Sequence, residues 1–535
     1  MVMYMSNPSF RIWRRKEQRK QKKLDEHYEK QLNAALGDEP IKPTAKENAD
    51  FINKVLGDCS DLVTRSFTME GEVGCAVLFI DELVNKEVVH NFLLRPLINS
   101  EKTRQSADEL WTMITKNIVE VGETKEADDL KTAVDAILSA DTVLFIDGLK
   151  KALIVGTKGW ATRGVSEPRA EAVVRGPREG LSETMCFSLA MIRHRLRDPN
   201  FRVKYHTIGK RTKTTVGLLY IEGLSDPKIV KKVTDRLKEI EIDGVLESGY
   251  IEEMIQDQIW TMFPLVQNTE RPDTVVAHLL EGKVAILVEG TPHALIAPAV
   301  FTQFYFSPED YYEKWYHSTF LRFIRLMSMI IALLLPALYI AFVSFHPEML
   351  PANLAIAMAA GRATVPFTAT LEALLMEISV EILREASIRL PGPIGPTIGI
   401  VGALVIGNAA VTAGLVSPAI VIVVGLTTIS SYANPSYNAA IAVRLLRFGF
   451  IILAAMFGLF GVMMGLMIMV LHLVQLRSLG IPYMAPFSPL NLRDLRDSLV
   501  RVPWRWMNRR PAVYRSQDPS RQGKGGPNEQ TSLRT

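Results

Sequence analysis

The sequence predicts an α/β soluble region of two related subdomains followed by an α-helical polytopic membrane domain. Three observations carry this: a duplication within the first 320 residues, a loss of charge after Phe323, and a glycine-rich apolar run near residue 400. The chain has 535 residues, 48% of them apolar and 22% charged, but these averages conceal a division. Up to Phe320 charge is frequent and mixed in sign. From Phe323 to Val474 there is almost no Lys, Asp or His. The run Arg389–Pro418 reads RLPGPIGPTIGIVGALVIGNAAVTAGLVSP, with no charged residue from Ile394 to Val416. About 20 such residues suffice to cross a bilayer. Gly395, Gly399, Gly402 and Gly407 would let helix backbones approach closely there.

These features divide the chain in order. Residues 1–50 form a basic arm, disordered or resting on anionic lipid headgroups, with a possible helix over Leu24–Leu36. Residues 51–160 and 215–320 are the two α/β subdomains, joined by a connecting segment over 161–214. Residues 321–476 are the membrane domain, with about four spans and an acidic amphipathic helix over 367–390. Residues 477–535 are a basic tail, expected to be disordered beyond 511. A net charge of +4 does not imply nucleic-acid binding. Three scattered cysteines (Cys59, Cys75, Cys186) suit a reducing compartment and neither a disulfide framework nor a metal site. The basic stretch 11–23 lacks a following apolar core, so the soluble region is expected on the cytoplasmic side.

The duplication is legible in two strand pairs. Ala76–Asn85 (AVLFIDELVN) matches Val216–Asp226 (VGLLYIEGLSD), and Val143–Val155 (VLFIDGLKKALIV) matches Val284–Ile296 (VAILVEGTPHALI). The copies lie about 141 residues apart. Helices are expected over Val88–Leu97 and Ile229–Ile242. Asp147-Gly148 and Glu289-Gly290 fall where each hairpin turns, so turn chemistry rather than catalysis explains these acids. Between the copies, Glu167–Glu183 (EPRAEAVVRGPREGLSE) alternates in sign. It reads equally as a self-satisfied loop or as an interface through Arg175, Arg178 and Glu179. A comparable segment, Pro264–Asp273, precedes the second hairpin.

Phe323–Phe345 is long enough to span, with Arg325 near its start and Pro336 within it. Lys314 and Arg322 flank it on the soluble side, as the positive-inside rule expects. Phe448–Val474 is a second long run, followed by seven arginines from Arg477 to Arg510. Both ends therefore prefer one side and the number of crossings is even; Ile394–Val416 and the shorter Ala419–Tyr432 complete four. Between the first two spans, Phe367–Leu390 places Leu371, Leu374, Leu375, Ile378 and Ile382 on one helical face. Glu377, Glu381, Arg384 and Glu385 border that face, with Glu372 on another side. Carboxylates beside a bilayer need partners or a function. In a symmetric oligomer they form rings that select cations. As an interfacial helix they make the ordinary pairs Glu381–Arg384 and Glu385–Arg389. Asn408 is a further polar residue in the glycine-rich run. No Walker, GxGxxG, HExxH or GxSxG motif occurs, which disfavours the enzymes built on them. No catalytic, cofactor or metal residue is assigned.

With these stretches laid out, the chain resembles the A subunits of GerA-type spore germinant receptors, a family that includes SpoVAF-like paralogs. The resemblance spans about Asn53 to Pro511. It rests on EAVVRGPREG (171–180), TERPD (269–273), EGTPHALIAP (289–298), SPEDYYEKW (307–315), EILREASIRLPGPIGPTIGIVGALVIGNAAV (381–411) and PYMAPFSPLNLRDLRD (482–497). It implies a multi-pass subunit in the spore inner membrane, its soluble region facing the spore core. It implies a ring-like homo-oligomer forming a nutrient-gated ion channel with a transporter-like B subunit and a C-subunit lipoprotein. On that view Glu372, Glu377, Glu381, Arg384, Glu385 and Asn408 are pore or gating candidates. Glu171, Arg175, Arg178, Glu179, Glu270, Arg271 and Asp273 are interface candidates, and the duplicated region is the oligomerising collar. The chain departs from the family pattern at Asp81-Glu82, where Asp-Gly is usual, at Leu181 for an aromatic, and at His194 within an arginine run. The alternative from another class is an accessory paralog supporting release of ions or dipicolinate without sensing nutrients; neighbouring genes separate the two. A membrane enzyme would need a polar catalytic cluster that the sequence does not show.

Overall fold

The computed structural model describes residues 39–57, 59–69, 73–100, 107–159, 167–168, 171–389 and 407–522. Residues 1–38 of the basic arm and most of the glycine-rich run lie outside these residues; the expected arm boundary at 50 is corrected, because residues 45–50 already belong to the first helix, with Ala45, Asn48 and Ala49 buried.

The first unit is a five-stranded sheet of β1 (Leu62–Met69), β2 (Val73–Ile80), β3 (Thr124–Ala127), β4 (Thr142–Ile146) and β5 (Ala152–Val155). The order is β1-β2-β4-β5-β3 and every neighbouring pair is antiparallel. The central strands read as unbroken apolar runs because both faces are covered. Ala76, Leu78 and Ile80 meet α1 (Ala45–Leu56) and α4 (Leu130–Leu138) on one side. Cys75, Val77 and Phe79 meet α2 (86–98, π-wound over Val89–Leu94) and the end of α3 (107–118) on the other.

The second unit repeats this plan. Its strands are β6 (Phe201–Ile208), β7 (Thr214–Ile221), β8 (Gln267–Thr269), β9 (Val284–Val288) and β10 (Ala294–Ala297). Their order, β6-β7-β9-β10-β8, reproduces that of the first sheet. Helices α5 (Met185–Arg195) and α8 (Pro272–Leu279) cover one face, α6 (Pro227–Glu239) and α7 (Ser248–Ile255) the other. The expected connector at 161–214 is therefore too long. Residues 185–208 are already the first helix and strand of the second unit; α5 packs on both units, so its apolar positions show no single stripe.

Both turn acids have the same task. Asp147 accepts from the Ala45 amide at 2.6 Å and Glu289 from the Met185 amide at 3.1 Å, so each caps the helix that opens its own unit. Gly148 and Gly290 follow at φ of 86° and 90°, the left-handed conformation these turns require.

The helical region comprises α9 (Trp315–Ser344), α10 (Ala352–Arg362), α11 (Ala369–Arg389), α12 (Pro418–Tyr432) and α13 (Tyr437–Gln475). Among the described residues, α9 and α13 are long and apolar enough to cross a membrane. The single span expected over Phe448–Val474 is corrected: α13 is two arms, broken at Gly458 by φ 58° and ψ −137°. The arms fold back on each other. Gly465 lies against Phe450 and Leu453, and Ala439 shares one cluster with Leu473, residues that a straight helix would hold about 50 Å apart. The fold sits against the far end of α9, where Phe345 and His346 cover Gly458.

The tail does not disorder at 511. Val513 and Tyr514 pack into the second unit's core, Arg510 pairs with Asp518 at 2.6 Å, and Arg521 pairs with Glu281 at 3.0 Å. One buried tyrosine and two ion pairs anchor a segment whose composition is otherwise polar.

Candidate functional site

Inside the helical region the acids of α11 are met by arginines from other helices. Glu372 is fully buried; it accepts from Arg362 Nε of α10 at 3.2 Å and from the Ser417 amide and hydroxyl at 3.1 and 2.9 Å. Glu377 is 2% exposed and accepts from Arg447 Nη1 of α13 at 2.5 Å. Arg447 also donates through Nε to the Ala332 carbonyl of α9 at 2.7 Å. Glu381 pairs with Arg444 of α13 and, 3.7 Å away, with Arg384. Arg384 in turn donates to Ser431 Oγ at 2.8 Å and lies over the Tyr432 ring. Glu385 is exposed, and so is Asn408, whose carbonyl accepts from Thr412.

The helix thus turns Glu372 and Glu377 inward, while Leu371, Leu375, Ile378 and Ile382 of the expected apolar face are exposed. Spacing places Glu381 within reach of Arg384, and that pair is present. It gives no access to the cross-helix partners Arg362, Arg444 and Arg447. The one available signal was two arginines, a turn apart, in the otherwise apolar run after Tyr437. Isolated burial of a carboxylate is so costly that such pairs fix the relative rotation of the helices joined.

A second constellation lies where the α/β region meets α9. Arg271, fully buried, donates to the Glu171 and Pro177 carbonyls at 3.2 and 2.8 Å and to Asp273 at 2.9 Å. Asp273 also accepts from Tyr312. Glu171 accepts from the Thr269 hydroxyl at 2.6 Å and the Glu270 amide at 3.2 Å; burial nonetheless pushes its carboxyl up to about 7. The Glu270 carbonyl accepts from the Leu181 amide at 2.6 Å. The segments 171–181 and 269–273 therefore clasp each other within one chain. Arg175, Arg178 and Glu179 lie outside the clasp with surface partners: Glu313 at 3.5 Å, Glu167 at 3.3 Å, and Arg195.

Arg322 and Arg325, expected to flank or snorkel, are held by one acid. Asp310, fully buried, accepts from Arg322 Nε at 2.9 Å and Arg325 Nη1 at 2.8 Å. Arg322 also reaches Asp497 of the tail at 3.1 Å. This joins the connector, the first long helix and the tail. The three cysteines are free, and among the described residues no His, Cys, Asp and Glu cluster suits a metal ion.

Together these features define a protein with a duplicated α/β head, a clasped neck and a helical bundle that contains, among the described residues, two helices long and apolar enough to cross a membrane. The model of the Bacillus/Clostridium GerA spore germination protein family matches residues 50–513, and the chain belongs to this family of germinant-receptor A subunits. Spore germination protein KA of Bacillus subtilis (strain 168) is 42% identical over 486 residues, 90% of this chain and 89% of that protein. GerLA of Bacillus cereus is 42% identical over 470 residues, 87% of this chain and 95% of its own. The uncharacterized membrane protein YfkQ of Bacillus subtilis (strain 168) is 43% identical over 477 residues, 89% and 92% of the two chains. The crystal structure of the N-terminal domain of the A subunit of the Bacillus megaterium spore germinant receptor GerK3 is 35% identical, covering 49% of this chain and 98% of that one, with a TM-score of 0.39.

Proposed function

We propose that this chain is the membrane subunit of a spore germinant receptor and forms an oligomeric, nutrient-gated cation channel that initiates germination. The observation that carries the reading is the set of Glu–Arg pairs inside an apolar helical bundle. Charges are kept in such a setting where they serve a path or a switch. Glu381 and Glu385 retain exposure and would form acidic rings in a symmetric assembly. Glu372 and Glu377, closed against Arg362 and Arg447, would hold the bundle shut until a partner shifts it. Asn408 would add a neutral polar position to the path. The α/β head would be the collar of a ring-like homo-oligomer, with Arg175, Arg178 and Glu179 free to exchange partners across its seams. The setting would be the spore inner membrane, the head facing the spore core, with a transporter-like B subunit and a C-subunit lipoprotein beside it. An even number of crossings would keep both ends on one side, with α9 running outward and the two arms of α13 running out and back. No catalytic role is assigned.

The test is monovalent-cation flux from liposomes carrying the reconstituted receptor, with and without nutrient. Glu381→Gln is expected to lower the flux severalfold. Unchanged flux in both Glu381→Gln and Glu377→Gln removes these residues from the path. A second reading stands beside it, because the chain is as similar to YfkQ, whose name carries no germination role, as to KA; on that reading the chain would be an accessory paralog supporting ion or dipicolinate release without sensing nutrients. Genes for B-type and C-type partners adjacent to this one favour the receptor, and genes for dipicolinate transport favour the accessory.

A further inference from the structure

Between α8, the connector after β10 and the C-terminal tail lies a cavity of about 380 Å³. Ligand sites range from about 300 to 1,000 Å³ and combine apolar walls with a few convergent polar groups. This cavity has both. Phe306, Tyr311, Trp504 and Tyr514 supply aromatic wall. Four wall residues carry buried polar atoms without a hydrogen-bond partner: Gln267 Oε1, Asp273 Oδ1, Thr274 Oγ1 and Gln303 Nε2. Thr274 and Gln303 are 8% and 5% exposed. Buried polar atoms are ordinarily satisfied, and four orphans around one cavity form a pattern of two acceptors, one donor and one hydroxyl.

Charge narrows the class of ligand. The protein's own cations occupy one face of three of these rings: Arg322 lies 4.0 Å from the Phe306 centroid, Lys283 4.1 Å from that of Tyr514, and Arg501 5.1 Å from that of Trp504. A cationic guest would therefore meet the repulsion of cations already seated on the rings that bind ammonium groups. The acids of the wall are also engaged: Glu281 by Arg521 at 3.0 Å, Asp497 by Arg322 at 3.1 Å, Asp273 by Arg271 at 2.9 Å, and Asp494 by the Asn491 side-chain amide and the Val513 backbone amide at 2.9 and 3.2 Å. The four orphaned atoms remain as single hydrogen-bonding positions.

We propose that this cavity is a binding site for a small neutral aromatic molecule bearing an amide-type head, which donates to Asp273 and Gln267 and accepts from Gln303. The site is built from the second α/β unit, the connector after β10 and the tail, so an occupant would bridge the head to the segment that grips α9 through Asp497 and Arg322. It stands on the cavity's own geometry and does not require the channel reading.

The probe is 4-fluorobenzamide, followed by fluorine NMR against the full-length protein in lipid nanodiscs. Saturable binding is expected. Ala277→Trp, which fills the cavity from an exposed position on α8, is expected to abolish it. The double variant Thr274→Val, Gln303→Leu is expected to weaken binding about tenfold. The ring without the head, 4-fluorotoluene, is expected to bind about tenfold more weakly than the amide. No saturable binding of the amide overturns the proposal. So does amide binding that survives in Ala277→Trp or in the double variant, or equal binding of the two probes. Unfolding midpoints of both variants identify one that has failed to fold, and the other then decides.

Discussion

At the scale of single residues, the acids of α11 were legible as a problem and their partners were not. A carboxylate in an apolar helix demands a cation, but helical spacing reveals only neighbours three or four positions away. Arg447 stands 70 positions from Glu377 and Arg444 stands 63 from Glu381, so only the folded chain brings them together. Arg447→Met leaves Glu377 buried without its cation and is expected to cost about 3–5 kcal/mol. Adding Glu377→Leu should recover most of that loss, read as the midpoint of unfolding in detergent. Glu82 makes a different case, because its carboxyl is buried without a cation bonded to it. It lies between the two α/β units, where the Tyr205 hydroxyl donates to it at 2.7 Å; burial, then the nearby Asp61, push its carboxyl up to about 7. Asp61 itself is neutralised by Arg193 at 2.8 Å, while Asp81, Lys86 and Cys186 also face Glu82. With an unfolded value near 4.3, the folded chain binds more protons between these limits. The contribution to stability is therefore full below about pH 4.3 and is lost as pH rises through about 7. Glu82→Gln should flatten part of the decline in unfolding midpoint between pH 5 and 8. A decline as steep as the parent's would show that Glu82 is not the group titrating.

At the scale of elements, strand runs, turn glycines and the acidic helix could be placed from pattern because each depends on neighbours in sequence. The fold of α13 could not. Gly458 interrupts an apolar run no differently from the other glycines around it, and composition alone favours one continuous span. What sets it apart is a left-handed φ and a contact with Phe345, to which a Cβ would approach within 2.9 Å. Two glycines of the same helix give opposite expectations. A Cβ on Gly461 would collide with the Leu453 carbonyl of the opposite arm, so Gly461→Ala should destabilise by about 3 kcal/mol through forced separation of the arms. Gly449 has nothing within 4 Å, so Gly449→Ala should be neutral or gain up to about 1 kcal/mol from helix propensity. Equal effects at both positions, measured by thermal unfolding in the same detergent, would remove the hairpin from the account of α13.

At the scale of the whole molecule, the duplication was visible because copied strands keep their pattern, and the two sheets share one strand order. The tail's role was hidden because three separated parts of the chain create it. Arg322 of α9, Asp310 of the connector and Asp497 of the tail meet in a buried cluster, and Arg322 is 1% exposed. Such a cluster transmits force only if it remains closed, since a buried charge deprived of its partner costs more than the pair contributes. The two acids should then differ on substitution. Asp310→Asn removes the acid that holds both Arg322 and Arg325, and is expected to loosen the neck and destabilise the whole chain. Asp497→Asn leaves that pair in place, and with it the Arg322 bond to the residue-497 carbonyl at 2.6 Å, and removes only the charge that tightens the tail. Its expected effect is local: faster hydrogen exchange over 485–522 with little change within α9. If exchange rises equally in α9 and in the tail, the two move as one body and the head reaches the helices through the tail. If it rises in the tail alone, the route from head to helices runs through the connector and Asp310.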